Sequence, residues 1–269
     1  MLGLIIAFKD YSPANGIFAS QWVGFKYFTQ FFSSFQFGTT MFNTLKISLY
    51  SIVVGFPLPI ILAIISNQLR VGKFRKIFQV TTYLPHFIST MVMCGMIILF
   101  LSPTSGLLAN VFKSVGITIP DFLSKPSSFA GVYVWSDVWQ HIGWDSIIYL
   151  AALSAIDPTY YEAATMDGAS RLQKIRHIEL PLLLPTAMIL LILRAGSLLS
   201  VGFEKVLLLQ NPLNLAGSEI ISTYVYKVGM VNFQYSYSTA IGLFNTVVNL
   251  IILLSVNWFS KRYTRTGLF

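Results

Sequence analysis

Asp137, His141 and Asp145 stand at four-residue intervals in an otherwise apolar stretch of the sequence. On a helix that spacing places all three on one face. Asp145 and His141 could relay a proton. The Asp-x3-His-x3-Asp pattern also resembles a ligand set, but a single helix supplies too few ligands at workable distance, so no metal site is expected. Trp139, Trp144 and Tyr149 lie on the same stretch and could stack on the C–H faces of a sugar, although aromatic residues on such helices more often pack or anchor. Trp22, Trp135 and Trp258 read as anchors.

The elements that carry these side chains follow from composition. The chain has 269 residues, 55% hydrophobic and 10% charged, with a mean hydropathy of +0.68. A soluble domain carries about 25% charged residues, so too few charges are present to cover this much apolar mass in water. Apolar runs recur from residue 44 to residue 260, which indicates an all-α polytopic membrane protein rather than a single anchor. A bilayer core of about 30 Å needs roughly 20 helical residues. Five runs meet that length, near 44–66, 78–101, 131–155, 182–203 and 240–260. Leu2–Phe8 reads as the end of a further, truncated span. The segment 1–43 is therefore expected to hold a partial first span and an outer loop, and 261–269 a tail.

Ten lysines and arginines cluster in three short segments, around 70–76, 171–176 and 261–265, while six are spread over the long alternate segments. The positive-inside bias therefore places the C-terminus in the cytoplasm. Such clusters between apolar runs do not form the basic stripe of a nucleic-acid binder, and no nucleic-acid partner is expected. Cys94, the only cysteine, lies within an apolar run and offers neither a disulfide nor a thiolate site.

Depth along the helices gives Asp145 a partner. Measured from Ala155, Asp145 is about 15 Å up its helix, while Arg194 is about 18 Å from Leu182 on the same side. An unpaired charge at that depth would cost several kcal/mol, so the two heads are expected to approach near the midplane, as a structural ion pair or as part of a solute path.

The segment 157–181 falls on the cytoplasmic side. Asp157 suits an N-cap, Pro158 the first helical position, and Gly168 a left-handed stop. A second short helix is expected from about Ser170 to the Leu180-Pro181 boundary. Ala163 and Ala164 give the hairpin a small-residue surface that another protein could approach closely.

Glu162-Ala163-Ala164, three residues, Gly168, nine residues, Ile178, one residue and Leu180-Pro181 match the EAA loop at every position. In this the chain resembles ABC-importer permeases. The stretches Phe8-Lys9-Asp10-Tyr11, Tyr83-Leu84-Pro85 and Ala151-Ala152-Leu153 to Pro181 resemble the carbohydrate-uptake branch, particularly its lipoprotein-dependent oligosaccharide permeases. Only the beginning departs, since the family has a complete first span, which favours six spans and a segment upstream of Met1.

The resemblance implies that 157–181 docks as a coupling helix on a cytoplasmic ATPase, with Glu162, Ala163, Ala164, Asp167, Gly168, Ile178, Leu180 and Pro181 as the coupling residues. It implies that Glu162 ties the loop's two helices or the ATPase surface together. Implied partners are a second permease, two ATPase subunits, an extracellular sugar-binding lipoprotein and membrane lipid. This chain carries no phosphate-binding loop: Gly72-Lys73 is followed by Phe74 and lacks the upstream glycine. ATP and magnesium would belong to the partner, and no cofactor is expected on this chain. The solute-pathway candidates are Trp139, His141, Trp144, Asp145 and Arg194. The outer segment 204–239, with Glu204, Lys205, Glu219 and four tyrosines, could meet the binding protein. Three other readings remain open: a permease for another solute, an ion-coupled carrier relaying protons through Asp145 and His141, and a non-transporting scaffold.

Overall fold

The computed structural model describes residues 2–70, 72–104, 106–114, 116, 120–264 and 267; Met1, and Arg265 of the C-terminal basic cluster, lie outside them. Helices dominate, with one two-stranded antiparallel ribbon that pairs Lys9 with Trp22 and Asp10 with Gln21. Leu2–Phe8, expected as the end of a span, forms a 3-10 helix.

Among the described residues, three helices are long and apolar enough to cross a membrane: Phe35–Gln68, Arg171–Gly196 and Tyr235–Arg262. The first contains the expected 44–66 span. Its two parts, Phe35–Gly55 and Pro57–Gln68, follow one another across Phe56. Pro57 and Pro59 fall in the first turn of the second part, where backbone N–H groups lack helical partners in any case, so they interrupt the helix at little cost.

The expected single span 78–101 is instead a broken pair, Lys73–Phe87 and Thr90–Leu101, bent by 97°. Pro85 sits in a single 3-10 turn, Leu84–Phe87, and Ile88 then takes an extended backbone that ends the helix. Counting this pair as one span brings the total to four.

The stretch expected over 131–155 forms one helix, Pro126–Ser154, whose 29 residues reach about 43 Å. It is long enough to cross but is not among the helices apolar enough to be counted, because Ser136, Asp137, Gln140, His141, Asp145 and Ser146 dilute it. The expected 182–203 span is displaced toward the N-terminus. Its helix ends at Gly196, before a turn in which Ser200 N–H donates to the Ser197 carbonyl.

Backbone contacts divide the chain into two compact units. One is built from the segment ending at Leu49, from Thr90–Tyr133 and from Gly196–Ile252. Its core gathers Phe31, Leu199, Ile221, Val228, Tyr237 and Ile241. The other is built from Tyr50–Ser89, Val134–Ala195 and the segment from Leu253, around Ala63, Tyr149, Leu153, Leu183 and Ala187. Tyr149 is thereby removed from the sugar-stacking candidates, since it is 3% exposed and packed among aliphatic side chains.

Candidate functional site

The second unit carries both constellations singled out in the sequence. The hairpin begins at Asp157, whose Oδ1 accepts the Thr159 N–H at 2.9 Å and starts the helix Pro158–Met166. That bond holds the Asp157 carboxyl below the usual carboxylate range. The helix closes in a Schellman turn: Ala169 N–H donates to the Ala164 carbonyl at 2.9 Å, and Gly168 N–H to the Thr165 carbonyl at 3.1 Å. Gly168 sits at φ +73°, in the left-handed region that favours glycine.

Ser170 then caps the second helix in a capping box with Gln173. Contrary to expectation, this helix does not stop at Leu180-Pro181. It passes through a wider π-type turn at Ile175–Glu179 and continues to Gly196. Pro181 falls in the first turn of Leu180–Gly196, and the π turn accommodates its missing donor.

Glu162, Ala163, Asp167, Gly168, Leu180 and Pro181 are exposed, and Ala164 and Ile178 are half-buried. Glu162 makes no hydrogen bond or ion pair among the described residues, so it does not tie the two helices of the hairpin together. Other residues do so. Lys174 Nζ donates to Thr165 Oγ1 at 2.8 Å, and Tyr161 Oη donates to Glu179 Oε1 at 3.4 Å. Burial, and next the nearby Glu179 carboxylate, push the Tyr161 phenol up to about 12, so it remains a donor throughout the physiological range. Exposed apolar side chains, Tyr160, Met166 and Leu172, stud the hairpin.

On the Pro126–Ser154 helix, Asp145 meets Arg194, with Nη2 donating to Oδ2 at 2.7 Å. Both side chains remain about one-third exposed, at 38% and 32%. His141 lies 3.4 Å from Asp137 Oδ1, and its Nδ1 is 3.0 Å from the Asp137 carbonyl oxygen. Trp144 stacks on His86, with ring centroids 4.4 Å apart and planes 3° from parallel, and His86 meets His141 edge-on at 5.3 Å.

His86 was not singled out in the sequence, because it comes from the 3-10 turn after Tyr83 and no helical spacing relates it to Trp144. Trp139 does not join this group. It lies about 140° around the helix from Trp144 and is half-exposed. Two glycines permit the assembly. A Cβ at Gly143 would fall inside the van der Waals shell of the Thr82 carbonyl oxygen, and one at Gly55 would stand 3.3 Å from Arg194 Nη1.

In the first unit, the segment 204–239 is less available than expected. Lys205, Glu219 and Tyr237 are buried, and Glu219 accepts from Lys227 Nζ at 2.6 Å and from Thr223 Oγ1 at 2.9 Å. Lys205 and Glu219, which the sequence offered as groups that could meet a binding protein, are instead internal. The segment exposes Glu204, Asn232 and Gln234 together with large apolar side chains, Leu213, Met230, Val231 and Phe233.

Residues 55–265 match the family of binding-protein-dependent transport system inner membrane components. The chain belongs to that family. Over its full length it is 40% identical to Protein LplB of Bacillus subtilis (strain 168), covering 85% of that protein. It is 39% identical, again over its full length and covering 84% of the relative, to the polygalacturonan/rhamnogalacturonan transport system permease protein YteP of the same organism. Among solved structures it is similar to a chain of a bacterial alginate ABC transporter in complex with an alginate pentasaccharide-bound periplasmic protein, with TM-score 0.92 and 41% identity, covering 100% of this chain and 89% of that one. This permease subunit is not an enzyme; ATP hydrolysis belongs to a separate subunit.

Proposed function

We propose that this chain is one transmembrane permease of an ATP-driven importer that moves an oligosaccharide across the cell membrane by alternating access. The observation that carries the proposal is the cytoplasmic hairpin, which displays the full EAA spacing on two capped helices joined at Gly168, in a chain belonging to the binding-protein-dependent family. The carbohydrate cargo is supported by the polyuronate and pectic polysaccharides named for two relatives.

In this reading Glu162, Ala163, Ala164, Asp167, Gly168, Ile178, Leu180 and Pro181 form or position the surface that two ATPase subunits engage, and ATP and magnesium are held by those subunits. A second, similar permease completes the pathway, and a sugar-binding lipoprotein docks outside. The chain crosses the membrane five times within residues 35–264, counting the polar Pro126–Ser154 helix and the bent pair, with its C-terminus cytoplasmic. His141, Trp144, Asp145 and Arg194 line the solute path, with Trp139 on a separate stripe of the same helix. His86 stacks on Trp144 and Phe87 meets it at a steep angle, and the part of the indole that stays exposed is what a sugar ring would contact.

The test is affinity purification from gently solubilised native membranes, with identification of the recovered proteins by mass spectrometry and a Gly168→Asp chain as control. Recovery of a phosphate-loop ATPase and a second permease, with the ATPase lost in the variant, is the expected result. Recovery of a folded chain alone would overturn the reading.

A further inference from the structure

Glu179 is fully buried within its unit, where a carboxylate is costly unless its partners repay the lost water. Three donors converge on its Oε1: Gln68 Nε2 at 2.8 Å, Asn67 Nδ2 at 3.2 Å and Tyr161 Oη at 3.4 Å. Its Oε2 is buried with no hydrogen-bond partner. The three donors come from two other elements. Asn67 and Gln68 end the helix Pro57–Gln68, and Tyr161 lies on the first helix of the hairpin. Glu179 itself is the last residue of the π turn, an irregularity that often marks functional positions.

The hairpin's first helix has no buried residue, so little apolar packing fixes its direction. Apart from the chain connections at its two ends, its side-chain hydrogen bonds to the rest of the unit run, among the described residues, from Tyr161 to Glu179 and between Thr165 and Lys174. An aliphatic side chain at 179 would fill the same space without leaving Oε2 unpaired, but it would fasten nothing. Charge-assisted hydrogen bonds to one oxygen are directional and roughly twice as strong as neutral ones.

We infer that Glu179 is a positioning residue: its carboxylate fastens the coupling hairpin to the inner end of the Pro57–Gln68 helix, so that displacement of the hairpin is carried to that membrane helix as one body. The inference rests on the coupling role proposed above, and it adds the residues that connect the docking surface to the membrane segment. Glu162, although part of the family pattern, does not make this connection.

The test uses the assembled importer in lipid nanodiscs, with nitroxide labels at Tyr160→Cys and Arg70→Cys in a Cys94→Ser background. Both labelled positions are exposed and flank the clasp. Distance distributions are read by pulsed electron paramagnetic resonance without nucleotide and after trapping with ATP and vanadate. In the otherwise unaltered protein the distribution is narrow and the same in both states. Glu179→Leu broadens it and makes it shift on trapping while the ATPase is still recovered, and Glu179→Gln, which keeps an acceptor oxygen, restores the narrow form.

An unchanged distribution in Glu179→Leu overturns the inference. Should that variant fail to assemble, Tyr161→Phe combined with Asn67→Leu removes two donors and leaves the carboxylate, and the same broadening or its absence decides. Failure to recover any ATPase with the unaltered protein would instead overturn the coupling role, and the nucleotide-free distributions would still judge the clasp.

Discussion

Arg194 Nη2 stands 2.7 Å from Asp145 Oδ2, joining two helices that are far apart in sequence through a charge-assisted hydrogen bond. The sequence placed the two heads at matching depth, and the structure brings them into contact. Both side chains stay about one-third exposed, and the contact neutralises one charge with the other.

Loss of one member should therefore cost more than loss of both. Asp145→Asn and Arg194→Gln are each expected to lower thermal stability in detergent, and the double variant to recover part of it. A coupling energy of about 1–3 kcal/mol is expected, since a single removal leaves the other charge without its partner. A double-mutant cycle by thermal unfolding measures it, and strictly additive losses would show that the contact contributes nothing.

Gly143→Ala should be damaging beyond the small cost of an ordinary added methyl. The added Cβ collides with backbone at Thr82 rather than with a movable side chain, so the two segments must separate. Overpacking of this kind costs typically 1–3 kcal/mol. The melting temperature should fall well below that of Gly95→Ala, where a Cβ meets open space. Equal melting temperatures would contradict the close approach.

Gly168 offers a test that separates backbone from side chain. A Cβ there meets nothing within 4 Å, so only the left-handed φ of +73° opposes substitution. Gly168→Val should then disturb the hairpin more than Gly168→Asn, because asparagine visits that region several-fold more readily than a β-branched residue. Recovery of the ATPase with each purified variant gives the ranking, and valine retaining more ATPase than asparagine would refute it.

The Asp157 cap gives the hairpin a defined acid limit. Its carboxyl is held low by the Thr159 backbone N–H and then by the Thr159 hydroxyl. A depressed folded-state value means the cap's contribution is complete above the unfolded carboxyl value of about 3.9 and disappears as pH falls through the lower folded value. Amide exchange across Pro158–Met166, corrected for intrinsic rates, should lose protection in that window. Asp157→Ala should show less protection at neutral pH and no further loss on acidification through it.

Much of the hairpin was legible because its determinants are local. Asp157, Pro158, Gly168 and Ser170 each act on backbone within a few residues, and each sits where its cap or turn chemistry requires. The ion pair was legible because charge is rare in these helices and depth can be counted. The stack of His86 on Trp144 was not, since it depends on how a broken helix folds back on a distant one, and neither was the close approach at Gly143. The 97° bend was hidden for a similar reason: Pro85 signals an interruption but carries no angle. Lys205 and Glu219 misled because a charged residue in a polar outer segment has the same sequence signature whether it is solvated or serves as an internal strut.

The unbroken run from Arg171 to Gly196 turns the hairpin and the polar cluster into two ends of a lever arm. From Glu179 to Arg194 it measures about 22 Å, with the irregular π turn at the hairpin end and a compact glycine-backed guanidinium at the other. A few degrees of tilt imposed at the hairpin end therefore moves the Arg194 head by an ångström or more, enough to lengthen a hydrogen bond past its useful range.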